Sequence, residues 1–161
     1  MRFLPVGLDV QGKLCLVVGG GSVGTRKVTN LVGAGAMVTV VSPAVTDDLA
    51  DQIKSGRVRW VQGSFREEHL DGAFIVVAAT DDESANARIV RYAGECGVLV
   101  CDASSSERSQ VIFGALHKGE DGVTVAVFTD GRDPAEARRT RDRIAGFMGQ
   151  ARKQRDRPGS D

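Results

Sequence analysis

The stretch Leu14-Cys-Leu-Val-Val-Gly19-Gly-Gly21-Ser-Val-Gly24 decides how the rest of the chain is understood. Five apolar residues run unbroken into a group of glycines, as in a strand buried on both faces. Glycines 19, 21 and 24 have the spacing G-x-G-x-x-G. From Val23 to Ala34 the apolar Val28, Leu31 and Val32 recur at helical spacing. The glycines therefore link a strand to a helix, the context in which this spacing has physical meaning. Gly19 permits a tight turn. Gly21 leaves the backbone bare, so that a pyrophosphate can approach it. Gly24 lets the helix pack close to the strand. The start of the helix offers N–H groups and a positive dipole end to phosphates. A phosphate loop of the G-x-x-x-x-G-K-[ST] type is disfavoured. Counting from Gly19 puts Thr25 where lysine is required, and Lys27 falls two positions late.

Working outward, apolar runs alternate with helical patterns. Met37 to Val41, Val58 to Val61, Ala73 to Ala79 and Val98 to Cys101 are expected as strands. Val45 to Lys54 is expected as a short helix with Thr46 as its N-cap, and Asp82 to Glu95 as a longer one. Strands alternating with helices imply parallel βαβ crossovers, so the fold class is a doubly wound α/β Rossmann-type sheet. The expected domain covers residues 1–110. After it the pattern changes. Val111 to Leu116 and Val123 to Phe128 are expected as a hairpin, with His117 to Gly122 as its turn. Pro134 opens a helix over about 135–148, so 111–150 form a strand–strand–helix extension. Residues 151–161 are expected as a disordered tail.

Composition narrows the functions. Lys+Arg and Asp+Glu are both 21, so the net charge is zero, and a nucleic-acid partner is not expected. No apolar run approaches the roughly 20 residues of a membrane span, and the N-terminus lacks the apolar core of a signal peptide. The cysteines are Cys15, Cys96 and Cys101, an odd count without CxxC. Cys15 and Cys101 sit in strand runs, as buried thiols of a reducing cytoplasm would. His69 and His117 lack partners at metal-ligand spacing, and no dedicated metal site is expected. The second strand ends Val41-Ser42-Pro43-Ala44. It lacks the acid that usually holds ribose hydroxyls in NAD sites and the Arg that holds a 2′-phosphate, so these residues do not separate NAD from NADP.

Three segments carry a family resemblance. They are Gly19-Gly-Gly-Ser-Val-Gly-Thr-Arg26-Lys27 with Gly35-Ala36 and Val38 to Pro43, then Val77-Ala-Ala-Thr80-Asp81-Asp82 with Asn86, and Val125 to Gly131 before Pro134. Together they resemble the precorrin-2 dehydrogenases of siroheme synthesis, which also form the N-terminal module of siroheme synthase. The resemblance implies NAD as cofactor and oxidation of the tetrapyrrole precorrin-2 to sirohydrochlorin. In some members it also implies insertion of Fe²⁺ as a substrate ion. It further implies a homodimer built by segments beyond the nucleotide domain. Ser22 and Val23 then meet the cofactor at the glycine loop, Ser42, Pro43 and Ala44 lie at the ribose end, and Thr80 lies beside the nicotinamide.

The family's catalytic carboxylate follows the fifth strand, often as Asn-x-x-Asp. Here Cys101 stands at the Asn position and Ser104 at the Asp position, and the nearest carboxylates are Asp102 and Glu107. Oxidation requires a base to take a proton as hydride leaves. Asp102 is the first candidate and Glu107 the second, while capping of the turn is the structural alternative for Asp102. Thr129, Arg132 and Arg138 are the candidate substrate contacts. The implied substrate is a polycarboxylate, which arginine forks suit, and the structural alternative is an ordinary solvated helix face. Two competing functions remain. One is a nucleotide-binding module with a regulatory or partner-binding role and no turnover. The other, a short-chain dehydrogenase, is opposed by Tyr92-Ala-Gly-Glu-Cys96 where Tyr-x-x-x-Lys is needed.

Overall fold

A computed structural model describes residues 1–119 and 122–155. Glu120, Asp121 and residues 156–161, within the expected turn and tail, lie outside the described residues. The chain forms two compact units. One is Val6–Ile112; the other combines Met1–Pro5 with Phe113–Asp161.

The first unit follows the expected alternation. Its elements are β1 (Leu14–Val18), α1 (Ser22–Gly33), β2 (Met37–Ser42), α2 (Asp47–Lys54), β3 (Val58–Gln62), a 3₁₀ turn at Glu67–Leu70, β4 (Ile75–Ala78), α3 (Glu83–Glu95) and β5 (Leu99–Asp102). The sheet order is β3-β2-β1-β4-β5, and every pairing is parallel. The order reverses between β1 and β4: β1 feeds α1 and then β2 on one side, while β4 joins its other edge. This is the doubly wound Rossmann-type sheet, with its switch point at the ends of β1 and β4.

Burial explains the unbroken apolar runs. Cys15, Leu16, Val17, Val18 and the whole of β4 are buried. Alternate residues serve opposite faces. Leu16, Val18, Val76 and Ala78 belong to one core cluster that includes Ile89 and Ala93 of α3. Burial pushes the Cys15 thiol up to about 11, so it stays protonated in the core at neutral pH. Thr46 caps α2 by accepting from the Leu49 N–H at 3.3 Å, and Asp82 caps α3 by accepting from Ser84 and Ala85.

In the second unit, β6 (Ala115–Lys118) and β7 (Thr124–Val127) pair antiparallel, and α4 spans Pro134–Arg155. This is the expected hairpin and helix with two differences. The first hairpin strand begins at Ala115 instead of Val111, and His117 pairs with Val125 inside it instead of lying in the turn. The cause lies in the first unit, where the Gln110 and Val111 N–H groups donate to the Val100 carbonyl and tie that stretch to β5. α4 also continues past Met148 through residues 151–155, which were expected in the tail. Ala, Arg, Lys and Gln there all favour helix, and the helix runs on through Gly149 to reach them.

The junction of β1 and α1 leaves no space for side chains. Gly19 has φ 113°, a conformation that favours glycine. A Cβ on Gly24 would enter the carbonyl of Gly19, and one on Gly19 would enter the carbonyl of Ala79 after β4. Gly24→Ala should therefore lower stability by about 1–3 kcal/mol, the usual cost of overpacking. Thermal denaturation checks this, and an unchanged midpoint would refute the close-packing account.

Candidate functional site

The glycine loop is tied to the ends of its neighbouring strands. The Gly19 N–H donates to Val41 at 2.9 Å, the Ala79 N–H to Val18 at 2.8 Å, and the Thr46 N–H to Gly20 at 3.1 Å. Ser42 completes the stitching: its Oγ accepts from the Gly20 N–H at 3.0 Å and donates to the Ala44 carbonyl at 2.6 Å. The Ser42 hydroxyl was expected to be available to a ribose. Its single proton is instead spent holding the loop against the end of β2.

Beyond the loop, at the carboxyl end of the sheet, lies a cleft of about 730 Å³. That volume falls within the roughly 300–1,000 Å³ of small-molecule sites. The cleft brings together Gly19, Gly21, Ser22 and Val23 with Ser42, Pro43, Ala44 and Thr80. Gly24 lies behind it, in the helix–strand contact. Phe65 and Arg88, which no sequence pattern singled out, also line the cleft. Phe65 follows β3 and leans on His69 and Tyr92, with ring centroids 6.1 and 6.5 Å away. Arg88 is on α3. Only the fold brings these two to the cleft.

The cleft's chemistry is set by what α1 lacks. Its N-cap is Gly21, with no side-chain hydrogen bond and no acidic residue in the first turn, whereas α2 and α3 are both capped. Uncapped N–H groups and the positive dipole end suit an anion. Gly21 adds the independent observation. A Cβ there would meet nothing within 4 Å, unlike Gly19, Gly20 and Gly24. The protein's own packing does not require glycine at 21, and the bare backbone there leaves room for an anion. The residues present therefore fit a dinucleotide diphosphate.

Thr80 is held in a polar cluster behind the cleft wall. Asn86 is completely buried. Its Oδ1 accepts from the Thr80 N–H at 3.1 Å and lies 2.8 Å from Thr80 Oγ1, while its Nδ2 donates to the Thr80 carbonyl at 3.1 Å and to Ser104 Oγ at 3.3 Å. Asp102 stands beyond Ser104. Its side chain is fully buried, and Arg108 Nε is 2.6 Å from Oδ2. Oδ1 accepts from the Ser104 N–H at 2.9 Å and from its hydroxyl at 2.6 Å. Burial alone would raise the carboxyl pKa. The Ser104 and Arg108 hydrogen bonds more than offset that and hold it below the usual carboxylate range. A carboxylate so occupied is a weak base, so the geometry departs from the expected general-base role and favours the structural alternative. Glu107, the second candidate, is exposed. Burial lowers the Lys27 amine on α1 from its ordinary value.

The three expected substrate contacts all fall in the second unit. Thr129 Oγ1 donates to the Asp133 carbonyl at 2.8 Å and accepts its N–H at 3.1 Å. Arg132 and Arg138 are exposed. Arg139 pairs with Glu136, and Arg141 with Asp142. Among the described residues no group of three or more His, Cys, Asp or Glu is placed to hold a metal ion. Among them, too, no helix is long and apolar enough to cross a membrane.

The parallel sheet, the glycine turn and the open helix start define a protein of the Rossmann nucleotide-binding class. A family described as "Putative NAD(P)-binding" matches residues 6–115. Siroheme synthase from Photorhabdus laumondii is 35% identical over 92% of this chain, and that from Nitrosococcus oceani 37% identical over 94%. The chain spans about a third of the length of these curated relatives, 31% and 32% respectively. The solved structure of SirC, precorrin-2 dehydrogenase, superposes with a TM-score of 0.76 at 29% identity, covering 90% of this chain and 71% of that one. The chain belongs to this NAD(P)-binding family and is similar within it to the siroheme synthases and to SirC, precorrin-2 dehydrogenase.

The lowered Asp102 pKa has a signed consequence for stability. A carboxyl whose folded pKa lies below its unfolded one contributes stability above the unfolded value and loses it as pH falls through the folded value. The stability gap between wild type and Asp102→Asn should be full at pH 7 and narrow below about pH 5. Denaturant melts at several pH values test this, and a gap independent of pH would contradict the ionised pair.

Proposed function

We propose that the chain binds NAD⁺ in the glycine-loop cleft and oxidises precorrin-2 to sirohydrochlorin, the dehydrogenase step of siroheme synthesis. Gly21 is the observation that carries this reading: a glycine that the fold does not require, bare at the uncapped start of α1 in a cleft of suitable size. Similarity to SirC, precorrin-2 dehydrogenase, supports the substrate. Bound NAD⁺ supplies the hydride acceptor. Gly19, Gly21, Ser22, Val23 and Gly24 cradle its diphosphate with backbone groups. Ser42, Pro43 and Ala44 border the ribose end, and Thr80 the nicotinamide end. The choice of NAD over NADP rests on the family resemblance, since no acid or arginine closes β2.

On the substrate side, Thr129, Arg132 and Arg138 meet the carboxylates of the tetrapyrrole. The reaction removes a hydride and a proton from precorrin-2. The candidate proton acceptors are the two carboxylates that follow one another at the end of β5, the buried Asp102 and the exposed Glu107. The same proposal includes a homodimer built through the second unit, with residues 1–110 as the nucleotide domain and 111–150 as the extension. It also includes Fe²⁺ as a further substrate and a cytoplasmic setting, in keeping with the free thiols of Cys15 and Cys101. The engaged Asp102 and the Ser104 at the family's carboxylate position favour one second reading, coenzyme binding without turnover.

Titration calorimetry with NAD⁺ and the absorbance change of sirohydrochlorin formation test both readings. Binding with turnover is expected. Binding without turnover supports the second reading, and absence of binding to either nicotinamide coenzyme sinks both. Gly21→Val should weaken NAD⁺ binding at least about tenfold, equivalent to about 1.4 kcal/mol, while the thermal midpoint stays near wild type.

A further inference from the structure

We infer that the buried Asp102–Arg108 pair is a positioning element for the coenzyme cleft, fixing the Thr80 peptide through Ser104 and Asn86. The inference rests on the NAD⁺ reading and gives a part to residues that reading leaves without one.

The argument is one of hydrogen-bond polarity. Arg108 donates to Asp102 Oδ2 through Nε at 2.6 Å and reaches Ser104 Oγ through Nη2 at 3.3 Å. The Ser104 hydroxyl has one proton, and Asp102 Oδ1 takes it at 2.6 Å. Ser104 Oγ can then only accept from its other neighbours, so Asn86 must present its NH₂ group, Nδ2, at 3.3 Å. With that end of the amide assigned, the other end must be the carbonyl. It faces the Thr80 N–H at 3.1 Å, and Nδ2 also donates to the Thr80 carbonyl at 3.1 Å. Both polar groups of the Thr80 residue are thus held by one buried amide, and Ser104, itself fixed by Asp102 and Arg108, braces that amide from its other side.

The arrangement spans three structural elements at the cleft. Thr80 follows β4 and lines the cleft, Asn86 lies in α3, and Asp102 ends β5. Arg108 also reaches Glu83 in the first turn of α3 at 3.1 Å, locking α3 to the β5 loop from outside. No buried side-chain polar atom among the described residues lacks a hydrogen-bond partner, so the chain of donors has no slack. Neutralising Asp102 would free the Ser104 hydroxyl, weaken its hold on Asn86 Nδ2, and loosen the peptide against which the coenzyme lies. Asp102 and Arg108 then act through Thr80 and need not touch substrate.

The test compares wild type, Ser104→Ala, Arg108→Gln and the double variant by calorimetry with NAD⁺. Ser104 is exposed in its loop, so Ser104→Ala should fold even if Arg108→Gln does not. Each single change should weaken NAD⁺ binding about 5-fold, the worth of one hydrogen bond. The double should also lose only about 5-fold, because both break one path. Arg108→Lys should recover most of the loss. In the uncomplexed protein, amide exchange at Thr80 should accelerate in both single variants. Unchanged affinity together with unchanged Thr80 exchange overturns the inference, and so does a double variant whose losses multiply to about 25-fold. These outcomes differ from failure of the coenzyme reading, in which wild type itself shows no NAD⁺ affinity.

Discussion

At the point where α1 leaves the sheet, the backbone of Gly24 lies against the carbonyl of Gly19, and that carbon has no room for a side chain. Gly19 in turn lies against the carbonyl of Ala79. Two absent Cβ atoms therefore bring the ends of β1 and β4 and the start of α1 into one place. Hydrogen bonds from Gly19 to Val41 and from Ala79 to Val18 then tie this point to the two neighbouring strands. Since the strand order reverses there, the sheet opens a cleft at the same position. The uncapped first turn of α1 faces a site whose walls are set before any ligand arrives, which is how a largely preformed site keeps its ordering cost low.

The wall on the β4 side is built differently. It has a fully buried amide, Asn86, whose donors and acceptors are all spent on Thr80 and Ser104. A buried amide is costly unless every group is satisfied, and the low local dielectric magnifies both the gain and the penalty. The buried carboxylate of Asp102 adds a charge that is tolerable only beside Arg108. In the precorrin-2 dehydrogenase pattern that this chain resembles, a carboxylate stands where Ser104 stands here. A serine there can relay a hydrogen bond but cannot take up a substrate proton and hold it. Here Ser104 gives its proton to Asp102 and accepts from Asn86 and Arg108, so its hydrogen-bonding capacity is taken up within the protein.

What could be understood from sequence follows from which interactions are local. Leu14 to Val18, the glycines and the Thr46 and Asp82 caps are visible because backbone geometry and burial impose residue types within a few positions. Gly21 was legible for a different reason: its bareness suits a ligand, and that requirement is written into the same spacing. The part Ser42 plays in holding the loop was hidden from sequence because its partner Gly20 stands 22 positions away and meets it only through the pairing of β1 and β2. Asp102 was found as a carboxylate at the right loop. Its pairing with Arg108 and its link to Asn86, 16 positions earlier, depend on the parallel pairing of β4 and β5, which no local pattern encodes. Phe65 and Arg88 reach the cleft in the same non-local way. The first strand of the hairpin was placed early because Val111 and Ile112 have strand composition, while the Gln110 and Val111 N–H groups are drawn to the Val100 carbonyl.

The arginine-rich helix α4 shows why composition alone overstates a binding surface. Four arginines lie within six positions, yet two of them are neutralised locally. Arg139 donates to Glu136 at 2.9 Å and Arg141 to Asp142 at 2.8 Å. The Arg139 and Thr140 hydrogen bonds also hold the Glu136 carboxyl below its ordinary range, so that end of the pair stays ionised at neutral pH. Such exposed pairs contribute little to stability, but they change what the helix offers to an anion. The charge left for an acidic partner is that of Arg138 and Arg143, five positions apart and so not on one line of the helix surface. A polycarboxylate bridging them would need separated acidic groups, whereas a single phosphate or carboxylate would meet only one.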